Sequence, residues 1–223
     1  MQAVILCGGK GERLKPLTNS VPKPLVKIND QPIIIHIMNH LIKHQIKDII
    51  LTTGHKSDQF INFFKDHELD CRIKIIDSGD ADIIARIQSV KEHINGNFLV
   101  LYGDTISNID ITKLINFHKK HTNEATMSVW PLETQFGLVE IDECNKITGF
   151  KEKPKLDKWV NIGYFCYEKT ILDYVDDYSK HEDFLAGMAS KNILSAYKHE
   201  GLHLTINTIQ ELEEAEKKID EIY

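Results

Sequence analysis

Short β-branched runs alternate with amphipathic stretches along the first 121 residues, and this alternation constrains the fold more than any other feature. Runs at 3–6, 48–52, 72–76 and 98–102, with another at 125–130, have the length and bulk of strands. The stretches 33–44, 58–65, 83–93 and 111–121 carry apolar residues at helical spacing. Neighbouring strands joined through helices pair in parallel, because a parallel pair needs a long crossover. An α/β fold follows, a mainly parallel sheet wrapped by helices. Ligands of such sheets gather outside the carboxyl ends of the strands. Here the first run ends in the glycine loop Gly8-Gly9-Lys10-Gly11, and the run at 98–102 ends in Tyr102-Gly103-Asp104.

Beyond residue 131 the rhythm changes. Short strands are predicted at 137–141, 146–151 and 161–167, and helices at 170–178 and 184–191. The last helix, 208–222, opens with Thr208-Ile209-Gln210-Glu211, a capping box in which Thr208 and Glu211 satisfy orphan backbone donors. No repeat, low-complexity tract or linker interrupts the chain. Residues 131–223 therefore read as a substrate-binding lobe laid on the same sheet, and 1–223 as one domain.

A chain of 223 residues buries roughly 70% of its unfolded surface, so neither metal nor disulfide is needed for stability. The net charge of −6, with dispersed lysines, argues against a nucleic-acid partner. Positive charge at an anion site must then be local. Cys7, Cys71, Cys144 and Cys166 lack metal or redox spacing and read as small apolar residues in a reducing compartment. The opening MQAVILCGG lacks the pattern of a secretory leader, and no run is long enough to span a membrane, which implies a cytoplasmic protein without a membrane partner. His36, His40 and His44 share one face of the predicted helix 33–44. They read as a partly exposed helix face rather than a zinc stripe, which would need a further ligand.

Glycines directly after a strand let backbone N–H groups approach phosphate oxygens without Cβ interference. Arg13 and Lys23 add full charges suited to a polyphosphate, and the prolines of Pro22-Lys23-Pro24 stiffen the segment that presents Lys23. A P-loop is excluded because Lys10 is followed by Gly11, and a dinucleotide fingerprint because Leu14 stands where its last glycine belongs. A plain strand-to-helix turn accounts for Gly-Gly-x-Gly alone, but not for Arg13 and the Pro-Lys-Pro cluster beside it.

The run GGKGERLKPLTNSVPKPL resembles the signature of the sugar-phosphate nucleotidyltransferases, and among them the chain is most similar to glucose-1-phosphate cytidylyltransferases. Gly54-His55-Lys56, Tyr102-Gly103-Asp104, Phe150-Lys151-Glu152-Lys153-Pro154 and Val160-Asn161-Ile162-Gly163 follow in the family's order. The resemblance implies a Rossmann-like sheet with a small α+β lobe, the nucleotide-diphospho-sugar transferase architecture. Residues 1–130 would form the nucleotide half and 131–223 the acceptor half. It implies attack by a sugar 1-phosphate on the α-phosphorus of an NTP, CTP by the subfamily match, with Mg²⁺ as cofactor. Arg13, Lys23 and Asp104 would be catalytic. Leu6, Gly8, Gly9, Gly11, Glu12, Ser78, Gly79, Arg86 and Gly103 would complete the nucleotide site. Gly137, Glu152, Lys153, Asn161 and Gly163 would meet the phosphorylated acceptor, and Asp104 with Asn207 would hold the metal. A homo-oligomer is compatible with this reading.

Two departures stand out. Relatives carry a second carboxylate just before the final helix, where this chain has Asn207-Thr208. Residues 77–87 lack the paired glycines of the cytidylyltransferase version. Guanylyl or uridylyl transfer, cytidylyl transfer to a non-sugar phosphate, and a nucleotide-binding regulator without turnover stay open at this point.

Overall fold

The strand β1 (Gln2–Leu6) sends Ala3 and Ile5 into one core and Val4 into another, one on each face of a sheet. A strand buried on both faces needs a continuous apolar run, which is why the runs at 3–6, 48–52 and 98–102 carry no polar alternation, whereas the edge run at 72–76 alternates. The computed structural model describes residues 1–121 and 123–222; Thr122 and Tyr223 lie outside the described residues. After β1 come a small hairpin, β2 (Lys27–Ile28) and β3 (Gln31–Pro32), then α1 (Ile33–Lys43), β4 (Asp48–Thr53), α2 (Ser57–Lys65), β5 (Arg72–Asp77) and α3 (Ile83–Ser89). They are followed by β6 (Phe98–Tyr102), β7 (Thr105–Ser107) and α4 (Ile111–Lys120).

The second half supplies β8 (Ala125–Glu133), β9 (Leu138–Ile141), β10 (Ile147–Lys151), β11 (Lys155–Tyr167), α5 (Ile171–Tyr174) and α6 (His181–Ser190). It closes with β12 (Leu194–Lys198), β13 (His203–Thr205) and α7 (Ile209–Lys218). The seven-stranded sheet runs β12-β8-β11-β6-β1-β4-β5. Only β11 is antiparallel to its neighbours, so the sheet is mainly parallel, as expected. Residues of α1, α2, α4 and α7 fill the core on one face, and those of α3, α5 and α6 the other. No helix among the described residues is long and apolar enough to cross a membrane.

Several elements differ from expectation. β11 starts at Lys155, not 161, because its exposed first half pairs with β8 through Lys155↔Glu133 and Trp159↔Pro131. The half-buried edge strand β12, Leu-Ser-Ala-Tyr-Lys, carries no apolar run and was not expected. The helices expected over 83–93 and 170–178 stop at Ser89 and Tyr174 and continue as tight turns. The histidine face of α1 is a further correction. His36 and His40 are buried, and His40 Nε2 lies 2.7 Å from the Ile109 carbonyl, so this face packs inward instead of meeting solvent.

Candidate active site

The carboxyl ends of β1 and β6 open on a cleft of about 440 Å³, walled by the glycine loop, Tyr102, Gly103, Asp104 and the segment 80–83. Leu6 and Lys23 also line it. A smaller recess of about 210 Å³ lies beside it, between Gly9, Gly11, Glu12, Arg13, Lys23, Asp104 and Asn207. Glycine-loop residues and Lys23 thus line both volumes, and Arg13 lines the smaller one.

Arg86 determines why the cleft has walls. It points from α3 into the interior and is 4% exposed. Its guanidinium donates to the carbonyls of Thr53 (2.9 Å), Gly8 (3.0 Å) and Ala81 (2.7 Å), tying β4, the glycine loop and segment 79–82 together. A Cβ on Gly8 would lie 1.5 Å from this guanidinium, so the glycine makes room for the clamp. Burial pushes the Arg86 pKa down. Arg86 lines the cleft, as the resemblance implied, but the hydrogen bonds described for it go to backbone carbonyls of the walls. Lys56 braces the signature from outside by donating to the carbonyls of Thr18 (2.9 Å) and Asn19 (2.6 Å). Lys10 and Asp80 form a 2.8 Å ion pair between the two lips of the cleft.

Arg13, Lys23, Asp104 and Asn207 come together although they span nearly the whole sequence. β7 follows directly on Asp104 and pairs antiparallel with β13, with Thr105 opposite Thr205. Ile206 N–H then donates to the Asp104 carbonyl at 3.0 Å, which brings Asn207 to the carboxylate. The capping box holds it there: Glu211 Oε2 accepts from the N–H groups of Asn207 (2.7 Å) and Thr208 (2.9 Å), and Thr208 Oγ1 accepts from Glu211 N–H (3.2 Å). Lys23 Nζ lies 2.6 Å from Asp104 Oδ2 and donates to Asn207 Oδ1 at 2.8 Å, while Arg13 donates to the same oxygen at 2.9 Å. One carboxylate and one amide oxygen therefore converge on a single cation. No group of three or more His, Cys, Asp or Glu side chains suited to a metal occurs among the described residues.

The other expected site residues divide by location. Ser78 Oγ lies 3.1 Å from Ser89 Oγ, so its hydroxyl is engaged toward α3, while Gly79 makes its turn at φ +63° beside Asp77. Gly103 passes so close to β1 that a Cβ would lie 2.6 Å from the Leu6 carbonyl. Asn161 and Gly163, on β11, reach Tyr102: Asn161 Nδ2 donates to its hydroxyl at 3.3 Å, and a Cβ on Gly163 would lie 2.4 Å from its ring. Gly137, Glu152 and Lys153 belong to the β9–β10 hairpin region and line neither the cleft nor the recess. Gly137 packs on the Phe150 ring, where a Cβ would lie 2.6 Å from it, and Lys153 is held at φ +42°. His181, at the start of α6, lies 3.3 Å from the Tyr102 hydroxyl, and nothing in its sequence neighbourhood marks it.

A glycine loop and paired cations stand at the strand ends of such a sheet, a geometry suited to anions, and the chain belongs to the nucleotidyl transferase family, whose model matches residues 2–220. It is 31% identical to the probable glucose-1-phosphate cytidylyltransferase of Bacillus subtilis, over 97% of this chain and 95% of that protein. It is 36% identical to the probable mannose-1-phosphate guanylyltransferase 1 of rice, Oryza sativa, over 79% of this chain and 52% of that protein. Among solved structures, HddC from Yersinia pseudotuberculosis complexed with GMP-PN shares the fold, with a TM-score of 0.75, 24% identity and coverage of 98% of this chain and 99% of that one.

Proposed function

We propose that this chain transfers a nucleoside monophosphate from CTP to a sugar 1-phosphate. The observation that carries this reading is the convergence of Arg13, Lys23, Asp104 and Asn207 beside a glycine-loop cleft. An acceptor phosphate oxygen bonds to the α-phosphorus while the bond from that phosphorus to the bridging oxygen breaks, and pyrophosphate leaves with that oxygen. Both reactants are anions, so positioning and charge neutralisation supply most of the catalysis. Arg13 and the loop amides hold the triphosphate, and Lys23 stabilises charge at the α-phosphate.

Asp104 and Asn207 would hold Mg²⁺. Their oxygens already face one cation, and a site with a single carboxylate suits an ion that takes its remaining ligands from phosphates and water. When bound, the ion supplies charge neutralisation to the phosphates. Glu152, Gly137, Asn161 and Gly163 read the acceptor hydroxyls and Lys153 takes its phosphate.

The preference for CTP rests on the similarity to the Bacillus subtilis protein across nearly all of both chains. The deciding experiment measures pyrophosphate release for CTP, UTP, GTP and dTTP against a panel of sugar 1-phosphates and alcohol phosphates. CTP with one sugar 1-phosphate is expected to give the highest kcat/KM. A tenfold preference for another base, about 1.4 kcal/mol, overturns the cytidylyl assignment. Absence of turnover with every pair overturns the enzyme reading.

A further inference from the structure

The ring of His181 is 7% exposed and packs against Phe165 at 5.7 Å and Tyr102 at 6.1 Å between centroids. Its Nδ1 lies 3.3 Å from the Tyr102 hydroxyl, which also accepts from Asn161 Nδ2 at 3.3 Å. On its other side Asn161 Oδ1 accepts from the Gly163 N–H at 2.8 Å. A backbone N–H only donates, so this contact identifies the oxygen end of the carboxamide and leaves the nitrogen end facing Tyr102. The phenol oxygen accepts there, so its own proton is free for His181 Nδ1. Burial holds the His181 pKa at about 4, so the ring is neutral near pH 7 and Nδ1 is an acceptor when Nε2 carries the proton. Nε2 is buried without a hydrogen-bond partner among the described residues.

We propose that His181 is a positioning residue for the acceptor site: by taking the Tyr102 proton it keeps the phenol oxygen as the acceptor of Asn161 Nδ2, and so secures the carboxamide orientation that the Gly163 N–H selects. In this orientation Asn161 keeps one N–H and one carbonyl lone pair for a pair of acceptor hydroxyls. Tyr102 also walls the cleft, so the chain links the two substrate sites. The proposal rests on the reading that Asn161 meets the acceptor. It also explains an orphaned buried N–H, which costs stability and which a phenylalanine would not carry.

The test is steady-state kinetics of the full chain, varying each substrate at saturation of the other, with thermal melts alongside. His181→Phe is expected to raise the acceptor KM about tenfold, with the CTP KM within about twofold of wild type and Tm not lowered. Tyr102→Phe should raise the acceptor KM by a similar factor, the double variant should add little, and His181→Asn, whose Oδ1 can replace Nδ1, should recover most of the loss. An acceptor KM unchanged in His181→Phe overturns the link, as does a rise shared equally by both substrates with a lowered Tm. Should His181→Phe not fold, an unchanged acceptor KM in Tyr102→Phe overturns it instead. A wild type without turnover on any sugar 1-phosphate defeats the proposed function together with the link; a wild type that turns over beside a silent His181→Phe defeats the link alone.

Discussion

Replacing Arg86 with methionine keeps an apolar stem in α3 and removes the guanidinium that joins three segments of the cleft wall. The Thr53 carbonyl keeps a second donor, Ser78 N–H at 2.9 Å, so most of the loss falls on the carbonyls of Gly8 and Ala81. A hydrogen bond from a charged donor contributes about 1.5–3 kcal/mol, so two of them amount to roughly 4 kcal/mol. Relief from burying the cation, whose pKa burial depresses, offsets part of this. A net loss of up to about 4 kcal/mol corresponds to a fall in Tm of at most roughly 8–16 °C for a chain of this size. Thermal melts of the ligand-free protein read this directly, and the nucleotide KM should rise in parallel because Gly8 loses its tether. Arg86→Lys should recover less than half, since an ammonium cannot span the same carbonyls as a fork. A Tm within about 2 °C of wild type, combined with a selective loss of discrimination between bases, would refute the clamp and make Arg86 a reader of the nucleobase.

Arg13→Ala and Lys23→Ala should each lower kcat/KM about a hundredfold; Arg13 is exposed, so its loss should leave Tm nearly unchanged, whereas Lys23, largely buried against Asp104, should also lower Tm; near-wild-type turnover by either removes it from catalysis. Asn207→Asp adds a second carboxylate beside Asp104 and should lower the Mg²⁺ concentration giving half-maximal rate. An unchanged Mg²⁺ dependence, with Asp104→Asn also silent, would mean that neither residue touches the metal. Burial depresses the pKa values of His40, His181 and His203 from 6.5 to about 4. The unfolded chain therefore binds more protons than the folded one between these values, and stability is lost as pH falls from about 6.5 towards 4, by up to roughly 3 kcal/mol per histidine. Urea titrations at several pH values across that window check this, and a flat midpoint contradicts it.

β1, β4 and β6 were legible because strands buried on both faces leave an apolar run that no loop imitates, and the edge strand β5 because its polar and apolar residues alternate. β12 and the front of β11 carry no such mark; Lys155 to Val160 mixes charged and apolar residues and is largely exposed, and its pairing with β8 makes it a strand. The same division holds at the site. Arg13, Lys23 and Asp104 stand in a signature, but their meeting with Asn207 depends on the pairing of β7 with β13, three residues on each side, too short for any periodicity to register. Helical spacing put His36 and His40 on one face without saying that this face points inward. α1 is apolar nearly all round, so its histidines had no solvent side to take. Arg86 illustrates the converse case: the resemblance put it at the nucleotide site, and nothing in the sequence announces the carbonyls it ties together.

The β9–β10 hairpin stands outside both cores: every residue of β9 is exposed, and neither core cluster takes a side chain from residues 138–151. Substitutions away from packed contacts shift stability by no more than about 0.5 kcal/mol. The hairpin can therefore drift in sequence while the strand ends that wall the cleft stay under the full constraint of a packed interior. If the hairpin meets the acceptor as proposed, mutations that redraw it leave the stability margin intact, and those that alter the glycine loop or its arginine clamp consume it.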